Sequence, residues 1–400
     1  MAELEVLSDA AILIDGATIA AVGRYADLRR APGNVERVEV RGVVYPGFVD
    51  CHTHAVFGAP RLDDHERRAL GMDYKTIAAA GGGILESVRD VRARSEGELA
   101  ALTLARLGAL LAHGATTIEV KSGYGLDCET ELKQLRVIAR LAGAQPATLV
   151  ATFLGAHEVP PEFRERRADY VRLVCEEMIP AVARERLALA CDVFCEPGVF
   201  SVAEARTVLA AARRHGLALK LHADELDGSG GAELAVELAA LSADHLAGVS
   251  AAGIRALAAS ETVAVLLPTT LLFLGGRSQA PARRLIDAGA ALALASDLNP
   301  GSSPTLSLPL VMALAVSQLG LRHAEVVNAV TVNAAAALGL VADRGQLAPG
   351  FRADIAVCDV ADWREVAYWM GGNAVTAVWT GGSACPLRIG SVSLGPHVEA

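Results

Sequence analysis

The chain has 400 residues, 52% hydrophobic and only 20% charged, with a mean hydropathy of +0.35, which is ample for a large buried core and excludes a disordered chain or a fibre. Its formal charge of -10 and pI near 5.5 argue against nucleic acid as a partner, so an anionic ligand has to be met by particular basic residues. Much of the hydropathy is alanine, and the most apolar stretch, TVAVLLPTTLLFLGG, is broken by Pro268, Thr269 and Thr270 before it reaches the ~18 residues of a membrane helix; no membrane partner is expected.

The N-terminal MAELEVLSDAAILIDG has no basic region ahead of an apolar segment, which predicts no signal peptide and a cytoplasmic protein. The seven cysteines are scattered, and the closest pair, Cys191 and Cys195, lacks CxxC spacing; unpaired, mostly buried thiols are expected. AILIDGATIAAVG predicts two strands around a hairpin turn at Asp15-Gly16. After Gly47 the pattern changes to short apolar runs separated by Ala- and Leu-rich segments of helical period, which implies βα units and a parallel sheet.

Eight such runs follow in order: VYPGFVDCHTH, TTIEVKSGYG, ATLVATFLGAH, LACDVFCEPG, LALKLHADE, LSADHL, TVAVLLPTT and ALALASDLN. SEGE from Ser95 and SVAE from Ser201 have capping-box form at the heads of two of the helices between them. Eight strand–helix pairs predict an α/β fold, a (β/α)8 barrel of the TIM type, over residues 49–340. GQLAPGFRADIAVCD and NAVTAVWTGG are strand-like again, so residues 1–48 and 341–400 are expected to form one composite β-sandwich domain, with boundaries at Pro46-Gly47 and Pro349-Gly350.

In such a barrel the chemistry sits at the carboxyl ends of the strands, and these runs end in His52 and His54, His157, His222, His245 and Asp297. His52 and His54 lie two apart on an extended segment and face one way, so both imidazoles can reach one ion; His222 and Asp297 are candidates for the remaining protein ligands. With no lysine after the fourth run to bridge a metal pair, one divalent ion is expected, Zn2+ or Fe2+. Lys121 reads as a rim ion pair and Glu196 as a supporting residue. His245 is free for proton transfer, and Glu225, three residues after His222, is placed to orient or deprotonate water. Arg61, seven residues beyond His54, is a candidate for a substrate carboxylate, with the Tyr124 hydroxyl beside it. His65, His113, His215, His323 and His397 read as non-catalytic.

Together with Arg61, the motifs PGFVDCHTHAVFG, AAAGGGI (Ala78 to Ile84), EVKSGYGLD, TFLGAHEVP, HADEL, DHL and SDLNPGSSP resemble the amidohydrolase superfamily and, within it, the imidazolonepropionase family, over nearly the whole chain. The resemblance implies metal ligands at His52, His54, His222 and Asp297. It implies substrate contacts at Arg61, Tyr124, His157, Glu225, Asn299, Gly301 and Ser302, with Glu225, His245 and Asp297 as catalytic residues. The implied reaction is metal-dependent hydrolysis of the cyclic amide of a small anionic heterocycle, 4-imidazolone-5-propanoate, to N-formimidoyl-L-glutamate. A heterocyclic-base deaminase shares the His and Asp set without needing Arg61 and Tyr124, and a non-catalytic metal scaffold is the remaining reading. A homodimer is expected, for which PLVMALAV and YWMGGNAV offer an apolar surface if they are not core.

Overall fold

The computed structural model describes residues 1, 3–30, 35–73, 76–77, 80–275 and 279–387; Ala78 and Ala79 of the glycine-rich motif, His397 and the last residues of the composite domain lie outside them. The chain opens with an antiparallel hairpin, β1 (Ala10–Asp15) and β2 (Thr18–Arg24), turning at Gly16 with φ +57°. β3 (Val43–Pro46) follows, and then eight strands: β4 (Phe48–Asp50), β5 (Ala115–Lys121), β6 (Thr148–Ala156), β7 (Ala190–Cys195), β8 (Ala218–Ala223), β9 (Ser242–His245), β10 (Val263–Leu266) and β11 (Leu292–Leu294). The chain closes with β12 (Ile355–Cys358), β13 (Val375–Thr380) and β14 (Ser383–Ala384).

β4 to β11 form one parallel sheet in sequential order, each strand from a different one of the eight predicted runs. Helices cover its outer face and side chains fill its inner one, which is why β5 and β7 are buried at every position. The predicted capping boxes form at Ser95–Glu98 and Ser201–Glu204, starting helices Glu96–Ala112 and Val202–Arg214. The sheet closes on itself between its first and last strands. Asp297 N donates to His52 O (3.0 Å), His54 N donates to Leu298 O (2.8 Å), and the Asp50 carboxylate accepts from Ser296 N (3.0 Å) and Oγ (2.6 Å).

β12 pairs antiparallel with β3, Ile355 opposite Pro46, so the two ends of the chain share one sheet; the hairpin joins through Ile19 N to Phe351 O (2.8 Å), and together they make the β-sandwich. The passage from sandwich to barrel takes a single residue, Gly47, whose N–H bonds Asp354 O (2.8 Å). A Cβ there would stand 2.2 Å from Thr116 Oγ1, so only glycine lets the chain cross at this point.

All seven cysteines are unpaired, with Cys51, Cys191, Cys195 and Cys358 buried. The PLVMALAV segment proves to be mostly core, Val311 to Ala315 being buried, whereas Tyr368, Trp369 and Met370 are exposed. Among the described residues no helix is long and apolar enough to cross a membrane.

Arg106, buried in helix Glu96–Ala112, braces the segment that leaves β4. Its guanidinium lies 3.4 Å from the Phe57 ring centroid and donates to the carbonyls of Ala55 (3.1 Å), Phe57 (2.5 Å) and Gly58 (2.7 Å). Removing it strands buried acceptors and opens a cavity. Arg106→Ala is therefore expected to lose about 3–5 kcal/mol in a urea unfolding titration; a loss below about 1 kcal/mol would mean that water replaces the guanidinium freely.

Candidate metal centre and active site

At the carboxyl ends of β4, β8 and β11 the fold gathers His52, His54, His222 and Asp297. Ring nitrogens of the three histidines lie within 4.8 Å of one another. His222 Nε2 is 3.4 Å from His54 Nε2, and Asp297 Oδ1 is 3.5 Å and 3.6 Å from the Nε2 atoms of His52 and His54. Ligand atoms each about 2.0–2.1 Å from a tetrahedral ion stand about 3.3–3.4 Å apart, so the spacing fits a first-row divalent cation. His52 Nε2 is buried with no hydrogen-bond partner in the protein.

The tautomers suit ligation. His52 Nδ1 donates to Asp244 Oδ2 (2.5 Å), which leaves its Nε2 with a lone pair, and His222 Nδ1 lies 3.0 Å from Asp192 Oδ2. Burial first, and then neighbouring positive groups, hold the His52 and His54 rings well below the usual histidine range, so they stay neutral, the form that binds a cation. Burial pushes Asp297 up to about 6 against the hydrogen bond that Thr270 Oγ1 donates to its Oδ2 (2.6 Å).

His245 and Glu225 stand together on the same rim, Nε2 and Oε2 3.6 Å apart, with His245 buried and the Glu225 side chain 13% exposed. Burial, with the charges of Asp297 and Glu196 adding to it, raises the Glu225 carboxyl well above its ordinary value. Glu196 supports this loop by accepting from the N–H groups of Glu225 (3.0 Å) and Asp227 (2.8 Å). Asp224, His245, Leu246 and Asp297 all take positive φ (52°, 81°, 62° and 51°), so left-handed backbone, costly for residues other than glycine, is concentrated where the strands end at the site.

His157 stacks on His54 (5.2 Å, 18°) and donates from Nδ1 to Gly123 O (2.9 Å), leaving Nε2 as an acceptor. Burial, His222 and Arg61 lower its pKa to about 3. Tyr124 is buried beside this pair, its ring centroid 5.8 Å from that of His54 and 5.4 Å from that of His157. Its loop is held by Glu131, which accepts from the N–H groups of Gly123, Gly125 and Leu126.

Arg61 is 5% exposed, and its N–H binds Pro300 O (3.0 Å). The guanidinium lies on Gly301, where a Cβ would meet Cζ at 2.0 Å. In the same loop the Asn299 side chain accepts from Gly301 N (2.9 Å) and Ser302 N (2.7 Å) and donates to Asp297 O (2.8 Å). Every predicted site residue thus lies at this end of the barrel. Lys121 does not fit its predicted role at the rim: it is completely buried inside the barrel, with Nζ 2.8 Å from both Glu119 Oε2 and Asp192 Oδ2. Sequence reading also passed over Asp192, Asp244 and Thr270; their only signal was an acid inside a strand-like run, or a threonine after a proline.

A sequence model of the amidohydrolase family matches residues 43–385. The chain belongs to the amidohydrolase family. The imidazolonepropionase of Rubrobacter xylanophilus is 51% identical to it over 96% of this chain and 93% of that protein, and that of Deinococcus radiodurans is 51% identical over 96% and 94%. The crystal structure of a 5-methylcytosine deaminase from Klebsiella pneumoniae with 5-fluorocytosine superposes with a TM-score of 0.72 over 94% of each chain at 16% identity, a likeness of fold.

In this amidohydrolase the Arg61–Gly301 contact leaves no room for a side chain. Gly301→Ala is expected to push the guanidinium more than about 1 Å away, to ordinary van der Waals distance. A crystal structure of the variant with Arg61 in its original place would contradict this.

Proposed function

We propose that the chain hydrolyses 4-imidazolone-5-propanoate to N-formimidoyl-L-glutamate. The 51% identity to imidazolonepropionases over 96% of the chain carries this reading, and a buried arginine beside the convergent histidines supports it, because it supplies what an anionic substrate needs in a protein of net charge -10. His52, His54, His222 and Asp297 hold one divalent ion, zinc or ferrous iron. When bound, the ion supplies Lewis acidity to the ring carbonyl and lowers the pKa of water.

The protein's own groups do the rest. Arg61 and Tyr124 hold the propanoate carboxylate and His157 orients the ring. The loop from Asn299 to Ser302 shapes this side of the pocket and seats Arg61. Water adds its oxygen to the ring carbonyl carbon, the carbon–nitrogen bond of the cyclic amide breaks, and the ring nitrogen leaves with a proton. Glu225 and His245 relay that proton, their Oε2 and Nε2 being within 3.6 Å of each other. Asp297 shares in holding it while Thr270 bonds the other carboxylate oxygen.

A spectroscopic assay on imidazolonepropionate, run beside an ammonia-release assay on cytosine and adenine, is expected to show ring opening alone. Ammonia release without ring opening would establish a deaminase, and neither activity in ion-loaded protein a scaffold. Arg61→Ala is expected to raise KM by roughly 10–100-fold with a much smaller fall in kcat, as for a lost charge-assisted pair; an unchanged KM would remove Arg61 from the carboxylate. His222→Ala is expected to lose both the bound ion, by elemental analysis, and turnover. Full activity in an ion-free variant would overturn the metal centre.

A further inference from the structure

Beneath the histidines the barrel holds charges that hydrolysis itself does not employ. Asp192 (β7), Asp244 (β9), Glu119 and Lys121 (β5) and Lys220 (β8) are at most 1% exposed. Asp192 meets His222 twice: Oδ1 accepts its backbone N–H (3.1 Å), and Oδ2 stands 3.0 Å from its ring Nδ1. Asp244 Oδ2 takes His52 Nδ1 (2.5 Å). Lys121 Nζ stands between the two carboxylates, 2.8 Å from Asp192 Oδ2 and 3.8 Å from Asp244 Oδ2, and is anchored to Glu119 Oε2 at 2.8 Å. Lys220 Nζ closes the network from below, 3.8 Å from Asp244 Oδ2 and 3.5 Å from Glu119 Oε1.

Burying five charges is expensive, and well-packed apolar side chains in their place are commonly neutral or stabilising. β10 of the same sheet is wholly apolar (Val263 to Leu266), so a strand of this barrel does not require charge. What the network does achieve is local: Asp192 and Asp244 each meet one imidazole at Nδ1, the atom opposite the one aimed at the ion position.

We propose that Asp192 and Asp244, tied to each other through Lys121, are positioning residues that preset the tautomer and ring orientation of His222 and His52 for the ion before it binds. The inference rests on the metal centre proposed above. Orientation fixed in advance removes ring rotation and tautomer exchange from the cost of ligation, and groups of this kind alter metal affinity about 10–100-fold.

The test uses the full chain, stripped with chelator and then titrated with Zn2+ in competition with a chromophoric chelator. Asp192→Asn and Asp244→Asn are each expected to weaken zinc binding about 10–100-fold and to change the visible absorption of the Co2+-loaded protein. In the ion-free protein labelled with 15N-histidine, the two rings are expected to be single Nδ1–H tautomers in the wild type, with one ring becoming a tautomer mixture in each variant. That readout needs no ion and no activity. Thermal unfolding checks that each variant is folded; where an Asn variant does not accumulate, the Ser variant, which leaves a hydroxyl and room for water, replaces it. Folded variants with wild-type zinc affinity, cobalt spectrum and ring signals would overturn the proposal while the metal centre stands. A wild-type chain that takes up no Zn2+, or a His222→Ala variant that binds it unchanged, would instead bring down the metal centre itself.

Discussion

The seam between β4 and β11 is the contact on which the rest of the molecule depends. A sheet of parallel strands leaves unpaired backbone groups at its two edges unless it closes, and here closure is made by the residues at the candidate site. The carbonyl of His52 receives the N–H of Asp297, the N–H of His54 reaches the carbonyl of Leu298, and just below them the Asp50 carboxylate accepts from both the N–H and the hydroxyl of Ser296. Asp297 is brought within 3.6 Å of both histidine rings by the same bonds that make the sheet a barrel. Site geometry and barrel closure are therefore one structural event.

The interior is organised in depth. Outside the sheet, and in the helices around it, packing is apolar. Inside, beneath the histidines, lie Asp244 and Asp192, which meet His52 and His222 at Nδ1, together with Glu119 and two lysines, and above them lie Glu225, His245, His157 and Tyr124. Burial acts differently on each class. It keeps the His52 and His54 imidazoles neutral and able to donate lone pairs, it raises Glu225 and Asp297, and it is offset at Lys121 by three carboxylates that hold the ammonium charged. The positive-φ residues at the strand ends show that backbone strain is accepted where side chains have to be aimed.

Loops complete the arrangement by occupying one another's space. Arg61 reaches its place because Gly301 has no side chain, and Gly301 is held by Asn299, two residues from Asp297. A chain with the right ligands but a larger residue at 301 would carry the same barrel with its arginine displaced. The β-sandwich stands apart from this chemistry, and its junction at Gly47 sets where β4 enters the barrel.

The sequence by itself determined the number and order of barrel strands, the meeting of the chain ends and the candidate residues at the rim. Periodicity, turn residues and the polar residue that ends each apolar run are local properties, readable without neighbours. It also carried the motifs shared with the family, from which Asn299, Gly301 and Ser302 came. Only the tertiary structure decided what Lys121, Asp192, Asp244 and Thr270 do. Lys121 reads as a rim residue because a lysine ending a strand is ordinarily solvated; Glu119 is two positions away on the same strand, but Asp192 and Asp244 lie 71 and 123 positions away, and no local pattern announces that they will meet it inside the barrel. Likewise an Asp within LACDVFCEPG or LSADHL looks like a break in an apolar run until the closed barrel puts an imidazole against it, from the neighbouring strand for Asp192 and from across the interior for Asp244.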